Sequence, residues 1–484
     1  MHSDPWPLDE IKQTGYRVVD LIAEYLTGLP DGPVFTPVPP EVVDEFLTTP
    51  LPQQGSAPDH ILSEFEQKVL PYPFGNGHPR FWGWVNSPPA VMGIFADALA
   101  AAMNPSCAGG NHAAIYVERQ VLEWFKQMLG FPASSMGLLV SGGSMATLTA
   151  LAVARNSKAG GDVRTSGLRG LDREPVIYMG AEGHGCVRKA VELLGMGSDS
   201  LRVIPSDTQH RMSVGHLRSA IIEDIEAGRQ LIAVVATAGT VNTGAIDPLE
   251  EIAALCREHN VWLHVDGAYG TPAILTGKYR PQLEPLALAD SIAVDPHKWL
   301  SVPVEAGLVL VRHEQAMRDT FSLVPPYLRT DSSPTGVGGL PWFSEYGFQQ
   351  TRGFRALKVW MALKYYGVEG YRREIEADLA LADHLAALIT SQPDFELVAS
   401  GLSIVCFRYA PPGITGGEQL DTLNKALLEE IQLGGQAFLS STIVGGRFVL
   451  RACIVNHRTS TQDIDFLVDL LRTTGARLHH TQSD

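Results

Sequence analysis

Cysteine is scarce in this chain. There are five in 484 residues (Cys107, Cys186, Cys256, Cys406 and Cys453), widely spaced and without a CxxC pair. That excludes a disulfide framework and a structural zinc site built on paired thiolates, and it fits a reducing, cytoplasmic setting. No metal site is expected. Basic residues are outnumbered, 37 Lys and Arg against 53 Asp and Glu, for a formal charge of −16. Nucleic acid and anionic membrane surfaces need clustered cations, so neither is an expected partner. No apolar run approaches the ~20 residues of a membrane helix. The opening MHSDPWPLDE carries acids where a secretion signal needs a basic start and an apolar core. Internal repeats, low-complexity tracts, GxGxxG and GxxxxGK[ST] are missing too, which weakens dinucleotide and nucleotide readings.

What is present reads as an α/β protein. Apolar residues recur at helical spacing over 8–28, and a second short helix is expected over 58–70, with the proline-rich LPDGPVFTPVPP between them. Residues 1–77 read as a helical arm whose apolar stripes need another surface, and a partner subunit is a plausible one. From 78 to 365 short apolar runs alternate with helical segments. The runs are GLLV (137–140), PVIYMG (175–180), RQLIAVVAT (229–237), VWLHVD (261–266), DSIAVD (290–295) and GLVLVR (307–312). Continuous apolar strands between helices predict a mostly parallel sheet buried on both faces. The stretch 321–349, rich in Pro, Gly, Ser and Thr, reads as a functional loop. Residues 366–484 read as a smaller C-terminal α/β domain, with two long helices and strands between them.

Ligands of open α/β sheets bind beyond the carboxyl ends of the strands. After GLLV comes Ser141-Gly142-Gly143-Ser144 at the start of a helix, a cradle for an anion such as phosphate. After VWLHV comes Asp266 with Gly267-Ala268-Tyr269-Gly270. After DSIAV comes Asp295-Pro296-His297-Lys298-Trp299. A lysine in a partly desolvated pocket has a lowered pKa and condenses with a carbonyl. A carboxylate beside a ring nitrogen keeps that nitrogen protonated and the ring electron-withdrawing. A phosphate, a pyridine ring and an aldehyde together make pyridoxal 5′-phosphate (PLP).

HVDGAYG followed by DPHKWL resembles the group II PLP-dependent amino-acid decarboxylases. The likeness extends over nearly the whole chain through HPRFWGWVNSPP (78–89), SGGSMATLTAL (141–151), GHGCVRKA (183–190), ATAGTVNTGAIDPL (236–249) and LRACIVNHRTSTQDID (450–465). The resemblance implies the fold type I, aminotransferase-like architecture. That means a seven-stranded large-domain sheet, an N-terminal helical arm and a small C-terminal domain, in a homodimer with active sites at the interface. It also implies roles. Lys298 would bind the cofactor's aldehyde, Asp266 would pair with the ring nitrogen, and Ala268 would lie against the ring. His184 would stack on the ring and orient the substrate. Gly143, Ser144, Thr240 and His297 would complete the cofactor site. Tyr327, on the loop, would return a proton to the α-carbon. Trp84, Ser87, Ser106 and His184 would border the substrate, with Phe81 and Trp82 in the same region.

The implied activity is decarboxylation of an L-amino acid to amine and carbon dioxide. The aromatic residues favour tryptophan, tyrosine, phenylalanine or dopa. An aldehyde synthase, another fold type I enzyme, a decarboxylase of a non-aromatic amino acid and a non-catalytic binding protein remain open. Three departures stand out. Val241 follows Thr240 where many relatives have a second Thr. Ser106 is small where an aromatic is common. Asp295 stands where some relatives have Asn, and charge repulsion predicts that it faces away from the phosphate.

Overall fold

Short apolar runs ended by Gly, Asp or Pro form strands, and the amphipathic stretches between them form helices. The computed structural model describes residues 6–323, 342–414 and 416–483. Along the chain, helices α1 (Leu8–Gly28), α2 (Pro40–Thr48) and α3 (Pro58–Lys68) precede the two-residue strand β1 (Phe81–Trp82). Next come α4 (Val91–Met103), α5 (Ala113–Leu129), β2 (Met136–Val140), α6 (Gly143–Lys158), α7 (Val163–Ser166), β3 (Pro175–Gly180), α8 (Cys186–Leu193), β4 (Leu201–Ile204) and α9 (Val214–Glu226). They are followed by β5 (Gln230–Thr237), α10 (Leu249–Glu258), β6 (Trp262–Asp266), α11 (Arg280–Leu283), β7 (Ser291–Val294), β8 (Gly307–Val311) and α12 (Glu314–Phe321). The last part holds α13 (Ala356–Ser391), β9 (Phe395–Gly401), β10 (Ile404–Tyr409), α14 (Gly417–Leu433), β11 (Phe438–Val444), β12 (Arg447–Cys453) and α15 (Thr461–Ser483). Gly367, at φ 63°, breaks the helical path of α13. Among the described residues no helix is long and apolar enough to cross a membrane.

The chain forms two compact units. One comprises Val85–Ala382 and Ala399–Val405. It carries a seven-stranded sheet in the order β2-β8-β7-β6-β5-β3-β4. The pairs β4–β3, β3–β5, β5–β6 and β6–β7 are parallel, and β8 runs antiparallel to both β7 and β2. Strands β6, β7 and β8 are buried at every residue, as continuous apolar runs require. The register sets Thr237 beside Asp266, Asp266 beside Ala293, and Val140 beside Gly307. Because β8 is reversed, the segments leaving β5, β6, β7 and β2 all emerge at one edge of the sheet.

The other unit comprises Met1–Trp84, Asp383–Val398 and Cys406–Asp484. It holds most of a five-stranded sheet, β1-β11-β12-β10-β9. A two-residue turn at Gly445 and Gly446, both at positive φ, joins β11 to β12. Strand β1 pairs in parallel with β11, so Phe81 stacks on Phe438 at 5.0 Å. Phe81 and Trp82 are fully buried in this unit's core, and the Trp82 indole donates to Thr459. They pack this unit's core. Helix α14 and strands β4 and β11 are additions to the elements expected from sequence. β11, with two serines and a threonine, lacks the apolar run that marks the others.

Candidate active site

Helix α6 starts immediately beyond β2 because Gly142 and Gly143 let the backbone turn in a crowded place. A Cβ on Gly307 would lie 2.4 Å from the Gly142 Cα, and a Cβ on Gly143 would lie 2.9 Å from Asp295 Oδ2 and 3.0 Å from the Ala268 Cβ. The N-terminus of this 16-residue helix, with its free peptide N–H groups and positive dipole end, therefore lies close to Ala268 and Asp295. Asp266 ends β6 as a buried carboxylate that accepts the Ala268 N–H at 3.2 Å. In the next loop the Asp295 N–H donates to the Ala268 carbonyl at 3.2 Å, which ties the two turns together. His297 is held by the Ala306 carbonyl at 2.7 Å from Nδ1. Its ring would be 3.5 Å from a Cβ on Gly142.

The Lys298 side chain is 26% exposed, and its Nζ lies 3.0 Å from Asp295 Oδ2. Burial pulls its pKa down, but the charges of Asp295 and Asp266 outweigh this, and the ammonium stands above the ordinary lysine value. The expected lowering of its pKa is therefore not found, because two carboxylates act on the amine. Asp295 does not face away from the anion cradle as repulsion predicted. Lys298 draws it in beneath Gly143. The Ser87 hydroxyl donates to the carbonyls of Lys298 and His297, so it braces the lysine loop. Trp299 packs on Tyr269 with centroids 5.2 Å apart and donates from its indole to Asp378 of α13 at 2.8 Å. Tyr269 in turn bonds Ser403 at 2.6 Å. Four residues before Asp378, Glu374 accepts from Ser301 at 3.5 Å, and burial lifts its carboxyl to about 7.

His184 lies two residues before α8, exposed, and accepts the Cys186 N–H on Nδ1. The buried Cys186 thiol sits against Thr147 and Ser144 and within the fields of Asp266 and Lys298, and burial pushes it up to about 12. This places α8 beside the cluster. Two residues before Asp266, His264 bonds Ser291 at 2.9 Å and Thr147 at 3.3 Å. Burial holds it down at about 4, so it is neutral. It locks α6 to β6 and β7.

Among the sequence-predicted residues, the structure brings together Gly143, Ser144, Asp266, Ala268, His297, Lys298 and Ser87, with His184 at their margin. Thr240 turns its hydroxyl into its own loop, toward Thr243 and the Ala245 N–H, both at 3.0 Å. Ser106 is exposed just ahead of Cys107, whose N–H is fixed by the Arg352 carbonyl. Trp84 belongs to the first-named segment of the other unit, 46% exposed and stacked on Phe74 at 5.4 Å. Tyr327 lies outside the described residues. Sequence reasoning did not single out Glu374 and Asp378. A signal existed: Asp378 falls in phase with the buried stripe Tyr371, Ile375, Ala382 and Leu385.

These residues fit PLP on their own chemistry. A buried carboxylate stands at a strand end, a long helix offers its N-terminus where a Cβ on Gly143 would crowd Asp295 and Ala268, and an amine lies beside both carboxylates. Fold and cluster together define a fold type I PLP enzyme. A model described as the pyridoxal-dependent decarboxylase conserved domain matches residues 40–410. The aromatic-L-amino-acid decarboxylase of Bacillus atrophaeus is 38% identical over 459 residues, 94% of this chain and 93% of that one. The solved structure of Oryza sativa TDC with PLP and tryptamine superposes with a TM-score of 0.91 at 27% identity, covering 98% of this chain and 99% of that one. The phenylacetaldehyde synthase of Arabidopsis thaliana is 27% identical, over 93% of this chain and 91% of that one. The chain belongs to the pyridoxal-dependent decarboxylase family and is a PLP-dependent amino-acid decarboxylase.

Proposed function

We propose that the protein converts an aromatic L-amino acid to the corresponding amine and carbon dioxide. The observation that carries this is the Lys298–Asp295–Asp266 cluster beside the α6 N-terminus, in a chain that matches an aromatic-L-amino-acid decarboxylase over 94% of its length. When bound, PLP supplies a protonated ring that draws off the electron pair left at Cα as carbon dioxide departs. Asp266 keeps the ring nitrogen protonated. The α6 N-terminus, with Gly143, Ser144 and His297, would hold the phosphate, and Lys298 would hold the aldehyde. Ala268 would lie against the ring, His184 would stack on it and orient the substrate, and Thr240 would complete the cofactor site. Tyr327 donates its hydroxyl proton to Cα. Ser87 borders the substrate by position, since the lysine loop occupies its hydroxyl, and Ser106 and the half-exposed Trp84 ring form further walls.

Residues 1–77 act as a dimerisation segment in this proposal, followed by a PLP-binding domain to 365 and a small domain to 484. The active unit is a homodimer with its sites at the interface. The exposed Leu8, Ile11, Tyr16 and Val19 of α1 support this. A cytoplasmic location fits the five buried cysteines.

The 27% identity with a phenylacetaldehyde synthase favours aldehyde formation as a second reading. Incubating the PLP-loaded enzyme with each common amino acid, and measuring amine, carbon dioxide, aldehyde and peroxide, separates the two. Amine and carbon dioxide in equal amounts from an aromatic substrate are expected. Aldehyde with peroxide as the main products, or turnover of glutamate alone, would overturn the proposal.

A further inference from the structure

Asp295 is a buried carboxylate beside the first residue of α6, and its two oxygens are treated differently. Oδ2 meets the Lys298 ammonium at 3.0 Å. Oδ1 is shielded from solvent and has no hydrogen-bond partner among the described residues. The whole side chain is 3% exposed, and Oδ2 lies 2.9 Å from the position of a Cβ on Gly143, the first residue of α6. An anion on the α6 N-terminus therefore sits against Asp295. Lys298 balances that carboxylate. If Lys298 were bound to the cofactor's aldehyde, its ammonium would no longer pair with Asp295, and the buried carboxylate would be left beside the bound phosphate.

We propose that Asp295 and the cofactor's phosphate share one proton in the loaded enzyme, so that retention of PLP is linked to proton uptake at this residue. The proton bridges a carboxylate oxygen and a phosphate oxygen and comes from solvent. No bond other than the hydrogen bond is made. A phosphate monoester titrates with a second pKa near 6, so at neutral pH both groups are unprotonated before they meet. Binding that takes up a proton weakens as pH rises, tenfold per unit for one proton. The other titratable groups around the ion pair are His297, with Nε2 3.8 Å from Asp295 Oδ2, and Asp266 and Cys186, both within the field of Lys298. α6 adds the Ser144 hydroxyl and peptide N–H groups, and β8 adds Gly307.

The inference rests on PLP binding at this cradle, and the test separates the two. The dissociation constant of PLP, and of pyridoxal without its phosphate, is measured from pH 6.5 to 8.5 for wild type, Asp295→Asn and His297→Gln. Visible absorbance on loading checks the cofactor assignment by itself. In Asp295→Asn, PLP is expected to bind more tightly than in wild type, the gap widening about tenfold per pH unit. His297→Gln keeps the wild-type slope, and pyridoxal shows no widening gap. Calorimetry in buffers of different ionisation enthalpy is expected to find one more proton taken up by wild type than by Asp295→Asn. Parallel pH curves for the two proteins, or the same gap with pyridoxal, overturn the proposal. Should Asp295→Asn not fold, the wild-type holoenzyme alone decides. A phosphorus-31 resonance at the dianion position, with no carboxylic-acid band in the loaded-minus-unloaded infrared spectrum, overturns it.

Discussion

Lys298 stands between two carboxylates, Asp295 and Asp266, and the difference between them separates their roles. Asp295 touches the amine at 3.0 Å, whereas Asp266 acts on it only through its field and is fixed by the Ala268 N–H. Removing the amine should therefore remove covalent cofactor attachment and leave the strand ends intact. Lys298→Ala is expected to lose the visible absorbance of the lysine-bound cofactor and any borohydride-trapped adduct, with an unchanged far-ultraviolet circular dichroism spectrum. A trapped lysine adduct at full occupancy in the variant would put the attachment elsewhere. Asp266→Asn keeps the side-chain shape but removes the charge that holds the ring nitrogen's proton. kcat is expected to fall at least about a hundredfold, about 2.7 kcal/mol of barrier, while PLP is still bound. Unchanged turnover would detach Asp266 from the ring.

At the scale of elements, α13 braces the lysine loop from behind with two acids one turn apart. Asp378 takes the Trp299 indole N–H, and Glu374 takes the Ser301 hydroxyl. Glu374 is lifted to about 7 by burial, above its value in the unfolded chain. The folded state thus holds that proton more tightly. The resulting stabilisation is complete below the ordinary glutamate value of about 4.3 and is lost as pH rises through about 7. Glu374→Gln is accordingly expected to unfold at a higher urea concentration than wild type at pH 8, by roughly 1–3 kcal/mol at ~1.4 kcal/mol per pKa unit. The gap should close toward pH 4.5. A gap that persists at low pH would mean that Gln packs differently and that ionisation is not the cause.

The same elements show what patterning carries and what it does not. β5 to β8 were legible because strands buried on both faces are uninterrupted apolar runs. The ends of those runs led to Asp266 and Lys298. β11 pairs Phe438 and Leu439 with β1 but carries Ser440, Ser441 and Thr442, so no local period marked it. The orientation of Asp295 was illegible for another reason. It depends on the Lys298 amine that pairs with it, and a linear sequence does not rank that attraction against repulsion from a phosphate.

At the scale of the whole molecule, α1 has no buried residue along its 21-residue length. Leu8, Ile11 and Tyr16 are each more than half exposed, and Val18 and Val19 add apolar surface nearby. An isolated helix gains little from propensity alone, and a contiguous exposed apolar face marks an interaction surface. A second copy of the chain covers that face in the proposed homodimer. Charge placed on it should then act on assembly before it acts on folding. Ile11→Glu combined with Val18→Glu leaves helix propensity almost unchanged and touches no residue of the Lys298 cluster. The double variant is expected to sediment as a monomer at concentrations where wild type is a dimer, and to keep its circular dichroism spectrum. If the active sites lie at the interface, turnover should fall with the dimer fraction and recover as protein concentration is raised. A monomer with wild-type turnover would place each active site within one chain. A dimer with wild-type stability would assign the α1 face another role and leave the interface to a different surface.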